Sequence, residues 1–201
     1  MGKLDEKKKA KRDSLLVAAF ALFTDKGVND TSVSDIVKRA NMAKGTFYLY
    51  FKDKFDIRDK LIISKAKELF LSAIEQMRKT ELDSLEDKVI FLVDFIINRF
   101  GNNKLLLRFI SKNLSWGVFR SALLTEEEED GYSFYDSYRQ LLEESGRVFR
   151  NPELMLYMIV ELINATCHNV ILFGEPVGLD ELKPELYDTI RDIIHRQEMK
   201  S

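Results

Sequence analysis

The chain has 201 residues, 45% of them hydrophobic and 32% charged, and a formal net charge of −2 at pH 7, as is typical of a globular protein with a hydrophobic core. Its single cysteine, Cys167, excludes an intrachain disulfide bond. No uninterrupted apolar run approaches the ~18 residues of a membrane span, and the charged N-terminal residues are unlike a secretory signal. We therefore expect a cytoplasmic protein without a membrane partner.

The charge is unevenly distributed along the chain. Residues 1–60 carry a net charge of +5, whereas the remaining residues carry −7. A basic end on an acidic body suits a protein that presents one end to a polyanion. The densest basic cluster, Lys7 to Arg12, fits either a solvated tail or an arm that follows phosphates, and both descriptions can hold at once.

The first predicted helix runs from about Lys9 to Lys26, and Gly27 ends it. Apolar side chains at helical spacing form the stripe that we expect to be buried: Leu16, Ala19, Phe20 and Phe23. This helix is expected to brace the two helices that follow it, which gives a three-helix N-terminal domain.

The stretch Thr31–Lys54 predicts two short helices joined by a tight turn. Thr31 or Ser32 can cap the first of them, and Asp35 stands three residues after Ser32, as in a capping box. Apolar residues then recur at helical spacing and form one face: Val33, Ile36, Val37 and Ala40. Asn41 follows at the point where a left-handed residue ends a helix sharply.

The second short helix is predicted from about Ala43 to Phe51. Phe47 and Phe51 are four residues apart and share the face that we expect to be buried. Lys44 can reach guanine acceptors or phosphate, and the hydroxyls of Thr46 and Tyr48 can reach phosphate oxygens. Two helices joined in this way form a helix-turn-helix, whose second helix enters the major groove of DNA. An ordinary helical hairpin with a polar surface has the same spacing, so spacing alone leaves both interpretations open.

This region closely resembles the DNA-binding domain of TetR-family (tetracycline-repressor-like) transcriptional regulators. The residues that carry the resemblance, over about fifty positions, are Phe20, Phe23, Gly27, Thr31, Val33, Ile36, Ala40, the run from Lys44 to Phe51, Lys52 and Lys54. The chain departs from the family at Asn41, where Gly is frequent, and at Ala43, where Ser or Thr is frequent. A side-chain cap or phosphate contact is therefore not expected at Ala43.

The resemblance implies an all-α fold in which residues 1–53 form a helix-turn-helix domain and residues 54–201 form a helical domain for effector binding and dimerisation. It implies that double-stranded DNA is a partner. The phosphate contacts that it implies come from Thr31 or Ser32, Thr46, Tyr48, Tyr50 and Lys54. The base-edge contacts that it implies come from Lys44, Gly45 and Leu49.

Four further helices are predicted after Asp53, near residues 54–79, 89–100, 104–116 and 132–145. The first starts beside the predicted DNA-reading helix, so it is the natural link between that helix and the rest of the chain. Ser84 and Asp87 have the spacing of a helix cap. The acidic stretch 126–130 separates the third of these helices from the fourth.

The segment Asn151–Gly174 predicts a long helix that is apolar on nearly all sides, with Pro152 at its first position. Such a helix must be buried on all sides. A last helix is predicted over residues 184–196. In the resembled family the last two long helices pair with their copies, which implies a homodimer interface that includes Leu162, Val170, Phe173, Ile190 and Ile194. A central core helix in a monomer is the alternative.

A second argument for a homodimer comes from DNA recognition. One helix makes only a few base contacts, and two half-sites about one DNA turn (~34 Å) apart supply the rest. We therefore expect a palindrome-like operator.

The family binds small hydrophobic ligands among its body helices, and this chain is rich in aromatic residues there, each of which fits either core or pocket. Glu161, Asn164 and His168 form one polar stripe on the most apolar helix, and buried polar groups need partners. The partner is either across a dimer interface or on a ligand. The candidate effector-binding residues are Phe109, Trp116, Tyr138, Met158, Glu161, Asn164 and His168.

Other classes of protein fit the sequence less well. An enzyme needs convergent titratable groups, but the two histidines are far apart in sequence, and no phosphate-binding glycine loop or metal-ligand spacing occurs. We therefore predict no enzymatic activity, no cofactor and no metal site. The predicted function is that of a ligand-responsive regulator, a repressor in the family's usual mode, that a small hydrophobic effector releases from DNA. A DNA-binding protein of the same fold without an effector is the alternative.

Overall fold

The computed structural model describes residues 3–113, 117–118 and 134–199. Regular secondary structure in these residues is helical, apart from one isolated antiparallel bridge between Phe149 and Glu198. The predicted all-α class is therefore confirmed. The helices are α1 (Lys3–Asp25), α2 (Val33–Arg39), α3 (Lys44–Tyr48), α4 (Lys54–Met77), α5 (Leu85–Asn102), α6 (Lys104–Asn113), α7 (Phe134–Glu144), α8 (Pro152–Phe173) and α9 (Leu179–Gln197).

The helix boundaries differ from the predicted ones mainly at helix starts. α1 begins six residues before the expected Lys9, and α5 begins at Leu85 because the Ser84 hydroxyl accepts a hydrogen bond from the backbone amide of Asp87. α9 begins at Leu179, so Pro184 lies inside the helix rather than at its start. Trp116 and the acidic stretch 126–130 lie outside the described residues.

The chain divides into two compact units, one ending at Lys65 and the other beginning at Ala66. In the first unit, α1 packs on α2 and α2 packs on α3. The core of this unit consists of apolar side chains from all four of its helical segments: Leu15, Leu16, Ala18, Ala19, Phe23, Ile36, Val37, Phe47, Phe51, Ile57, Leu61 and Ile62. The expected stripe of α1 is thus buried except for Phe20, which is half-buried.

In the second unit, α8 packs on α5, α6 and α9, and α9 packs also on α5. Two polar networks join these elements. The Arg147 guanidinium contacts both carboxylate oxygens of Glu198 and lies 2.6 Å from Glu86, and these two carboxylates hold the pKa of Arg147 above its ordinary value. Lys183 and Tyr187 both donate to Asp94, and although burial opposes ionisation, these hydrogen bonds bring the pKa of that carboxyl below its ordinary value.

The apolar helix α8 is not buried on all sides within the single chain. Its most apolar stretch has a mean hydropathy of 1.5, and 33% of that stretch is buried. Among the described residues it is the one helix whose length and composition would suffice for a membrane span, because that criterion tolerates isolated charges such as Glu161. Core helices of globular proteins meet the same criterion. The sequence-based expectation of no membrane partner stays a prediction.

Candidate nucleic-acid interface and effector cavity

The N-terminus of α2 is fixed by the predicted capping box. The Ser32 hydroxyl accepts from the Asp35 amide at 3.1 Å, and the Ser32 amide donates to the Asp35 carboxylate at 2.9 Å. Lys26 adds an ion pair with the same carboxylate at 2.9 Å. The backbone hydrogen bond from Ser32, with Lys26 and the Ser32 hydroxyl, holds the pKa of Asp35 well below its ordinary range.

The turn between α2 and α3 depends on Asn41, which has the positive φ of 53° that the sequence predicted. The next amide, that of Met42, donates to the carbonyl of Val37 at 2.9 Å and so closes the turn. Ala43 then occupies the cap position of α3 without a side-chain hydrogen bond, as its methyl group dictates.

α3 is held by two aromatic side chains and presents the rest of its surface to solvent. Phe47 and Phe51 are buried, with ring centroids 5.5 Å apart. Tyr48 and Leu49 are 54% and 79% exposed. Lys44 and Gly45 are also exposed, and the space around Gly45 is open: a Cβ there would meet no atom within 4 Å. This glycine is thus not required by the packing of the unit, and it leaves the backbone open to close approach by another molecule.

The remaining candidate DNA contacts are less accessible. Thr46 and Tyr50 are half-buried. Thr31 is 1% exposed, and its hydroxyl donates to the carbonyl of Gly27 at 2.7 Å, so exposure favours Ser32 of the two alternatives. The Lys54 ammonium donates to the carbonyls of Asn29 and Thr31, at 2.8 and 3.2 Å. It therefore stabilises the loop before α2, and its charge remains at this surface.

The second unit contains an apolar cavity of about 120 Å³. Side chains from α4 to α9 line it, among them Leu69, Val93, Tyr138, Ile159 and Cys167. Burial raises the pKa of the Cys167 thiol. The Tyr138 hydroxyl donates to the carbonyl of Pro152 at 2.9 Å, and burial raises its pKa as well. No charged side chain is among the lining residues that the structure describes, so the cavity suits an apolar group.

Two polar side chains face this apolar cavity. Ser111 of α6 has a buried hydroxyl oxygen with no hydrogen-bond partner within the described part of the chain. Asn164 of α8 is half-buried. Buried hydroxyl groups are rarely left without a partner, so Ser111 marks a place where a hydrogen-bonding group is missing. The sequence analysis did not identify Ser111, because a lone serine in an amphipathic helix carries no pattern.

Of the candidate effector residues, Tyr138 and Asn164 are among the described residues that line the cavity, whereas Phe109, Met158, Glu161 and His168 are not. Phe109 is buried in the core. At 100° per residue, Glu161 and His168 lie on the side of α8 away from Ile159 and Cys167, which face the cavity. The polar stripe is thus divided, and of its three residues Asn164 is the one that lines the cavity. Trp116 is outside the described residues.

The candidate dimer residues are divided in the same way. Val170, Ile190 and Ile194, predicted at the dimer interface, are already buried within the single chain, so their burial does not require a second copy. Their periodicity reflects the packing of α8 on α9. Phe173 is 63% exposed and Leu162 is half-buried, so these two remain available to a second copy.

A second cavity, of about 270 Å³, adjoins the first and is more polar. The two cavities share Leu92, Tyr138 and Leu141. Two cationic side chains line the second cavity, Arg78 after the end of α4 and Lys88 in α5. The sequence analysis identified neither of them.

Taken together, the first unit contains the helices α1 to α3 and the start of α4, with α3 exposed as in a recognition helix, and the second unit is a helical body with an internal cavity. This is the architecture of helix-turn-helix regulators. Residues 15–61 match the family model described as bacterial regulatory proteins of the tetR family.

Known proteins agree with this architecture. An uncharacterised HTH-type transcriptional regulator, YvdT of Bacillus subtilis, is 34% identical over 93 residues, which are 42% of this chain and 46% of that protein. The fatty acid metabolism regulator protein of Bacillus subtilis is 38% identical over 74 residues, 37% of this chain and 36% of that protein. The matched segments thus span less than half the length of either relative.

The fold extends over most of the chain. The crystal structure of a transcriptional regulator FadR from Bacillus subtilis in complex with stearoyl-CoA has a TM-score of 0.63 and 20% identity, and the match covers 88% of this chain and 96% of that one. The solved structure supports the fold of the whole chain, and residues 15–61 carry the DNA-binding domain of the TetR family of transcriptional regulators. The family model and these relatives are DNA-binding regulatory proteins.

Proposed function

We propose that this protein is a cytoplasmic repressor that binds a palindrome-like operator as a homodimer and leaves it when a small hydrophobic effector fills the cavity of the second unit. The observation that carries the proposal is the surface of α3. Its buried Phe47 and Phe51 hold the helix, while Lys44, Gly45 and Tyr48 are exposed. A cation, an accessible backbone and a hydroxyl on one short helix are the groups that base edges and phosphates require.

Dimerisation is supported by the exposed face of α8. The apolar side chains on this face recur at helical spacing along the helix: Leu154, Met158, Leu162, Leu172 and Phe173. These apolar side chains share the face with the polar Glu161 and His168. Exposed apolar side chains along a helix mark an interaction site, and a second copy of the chain is the occupant that a two-fold operator requires. A fully buried core helix of a monomer does not fit this exposure.

The effector is supported by the apolar cavity and by the relatives. One of them is named a fatty acid metabolism regulator, and FadR binds stearoyl-CoA, so hydrophobic molecules are the first class to test. An effector releases the operator only if it binds better to the conformation that does not bind DNA. Shifting the protein from mostly bound to mostly free takes about 5.5 kcal/mol of such differential binding.

The test is operator binding, measured by fluorescence anisotropy on duplexes from the DNA upstream of its own gene that contain an inverted repeat. Lys44→Ala is expected to weaken binding about 5- to 150-fold, corresponding to ~1–3 kcal/mol, and to relax preference at one operator position. Tyr48→Phe is expected to weaken binding to all sequences alike, because a lost phosphate contact carries no sequence information.

Lys104→Ala is the matched control, since Lys104 is an exposed lysine in the other unit. It should leave operator affinity unchanged. Operator affinity that is unaltered in both Lys44→Ala and Tyr48→Phe would contradict the proposal. So would a wild-type protein that binds no duplex at low ionic strength.

The alternative function is DNA binding without an effector. A thermal-shift screen of hydrophobic compounds separates the two functions, because a ligand that binds the folded state raises its melting temperature. If no compound that stabilises the protein lowers operator affinity, the effector part of the proposal fails and the DNA-binding part stands.

A further inference from the structure

The two adjoining cavities of the second unit differ in chemical character. Within the described part of the chain, the ~120 Å³ cavity has no charged lining residue, and the charged residues that line the ~270 Å³ cavity are Arg78, Lys88 and Glu144. Leu92, Tyr138 and Leu141 belong to both linings, so the apolar chamber and the polar chamber adjoin. A molecule that occupies both chambers must itself have an apolar end and a polar end.

The described lining residues of the polar chamber carry more positive than negative charge. Lys88 lies 3.7 Å from Glu144, and Glu144 also accepts a hydrogen bond from Gln140 at 2.9 Å, so that carboxylate is already shared. The Arg78 guanidinium has no ion pair or hydrogen bond with any residue described in the structure. Two cations against one shared carboxylate favour an anion, and guanidinium groups pair well with carboxylate and phosphate.

The apolar chamber limits the other end of the ligand. A cavity of about 150 Å³ holds benzene, so ~120 Å³ suits a short alkyl or small ring, unless the chamber widens on binding. The buried Ser111 hydroxyl lies in the same lining and has no partner among described residues.

We propose that the effector is an amphipathic anion, whose apolar group fills the chamber lined by Ser111 and Val160 and whose anionic head lies beside Arg78 and Lys88. This inference rests on the proposed effector site and adds the chemical class of its ligand. Neutral hydrophobic compounds and hydrophobic cations bind more weakly than anions of the same chain length.

The test is calorimetric titration of the full chain with straight-chain carboxylates of six to ten carbons, compared with alcohols and alkyltrimethylammonium ions of the same lengths, each up to 0.1 mM. The carboxylate is expected to bind roughly threefold to fivefold more tightly than the alcohol, as for a solvent-accessible ion pair. Raising the salt concentration should reduce the difference in affinity between the carboxylate and the alcohol, since salt screens exposed charges.

Two variants locate the two ends of the ligand. Arg78→Gln should remove most of the preference for carboxylate while leaving alcohol binding unchanged, and Val160→Phe should weaken binding of every compound by filling the apolar chamber. Lys79→Gln is the matched control, because Lys79 is adjacent in sequence, pairs with Glu75 and does not line the chamber.

Equal binding of carboxylate and alcohol, an Arg78→Gln protein that keeps the preference, or no binding of any compound overturns the proposal. Operator binding by each variant is measured alongside, as evidence that the variant is folded. If operator binding fails in the wild-type protein while anions bind as expected, the proposed function is wrong and the ligand class stands.

Discussion

The Ser111 side chain is energetically unusual, because its hydroxyl oxygen is buried beside an apolar cavity and has no partner among the described residues. A buried polar group without a hydrogen bond costs about 1–3 kcal/mol. Ser111→Ala is therefore expected to stabilise the unliganded protein by about 1 kcal/mol, which raises the melting temperature by roughly 2–4 °C in a chain of this size. Differential scanning calorimetry without ligand measures this.

The control for Ser111 is Ser72→Ala, whose hydroxyl already donates to the carbonyl of Glu68 at 2.8 Å. It should give no comparable gain. A lower melting temperature for Ser111→Ala would mean that the hydroxyl makes a stabilising bond, to water for example, and is not free for a ligand.

At the scale of the element, α2 is the helix whose ends are most completely determined by local chemistry. The pKa of Asp35 is lowered by the Ser32 backbone amide first and by Lys26 and the Ser32 hydroxyl next. Because the folded-state pKa lies below the unfolded one, the carboxylate stabilises the fold fully above about pH 4. That contribution is lost as the pH falls from there through the folded-state pKa.

Asp35→Asn removes the charge and keeps the shape. We expect it to lower the melting temperature at pH 6–7, and the difference from wild type should shrink below about pH 4. Asp30→Asn, at an exposed aspartate in the preceding turn, serves as the control and should show no such pH-dependent difference. A difference in melting temperature between Asp35→Asn and wild type that stays constant from pH 7 to pH 3 would rule out this stabilising role for the Asp35 carboxylate.

The two faces of α8 have different surroundings. Ile159 and Cys167 on one face line the apolar cavity, whereas Leu154 and Phe173 are exposed. In the proposed homodimer, a ligand in the cavity and the partner subunit contact the same helix. This gives an effector a direct route to the dimer interface.

The molecule as a whole is expected to depend on that exposed face. Phe173→Lys places a charge where the proposed partner packs, and should raise the dimer dissociation constant by at least about tenfold. Operator affinity should fall with it, since two half-sites are read together. Analytical ultracentrifugation at several concentrations measures the first effect.

Leu71→Lys is the control for Phe173→Lys, because Leu71 is also an exposed apolar residue but belongs to α4. It should leave the dissociation constant unchanged. A wild-type protein that sediments as a monomer at micromolar concentration, or a Phe173→Lys protein that dimerises normally, would remove the support for this interface.

The sequence by itself determined the local structure of the first unit. Capping by Ser32 and Asp35, the positive φ of Asn41 and the burial of Phe47 and Phe51 are set by residues a few positions apart, so their spacing predicts them. The all-α class and the TetR-type DNA-binding domain were implied by the resemblance that these residues carry.

The tertiary structure decided which apolar residues are core and which are surface in the second unit. Periodicity marks a face as apolar but not what covers it, so Ile190 and Ile194 were assigned to a dimer interface although neighbouring helices bury them. The cavities are assembled from helices far apart in sequence, and Arg78 and Ser111 have no local signature. Their positions depend on long-range packing, which no short pattern encodes.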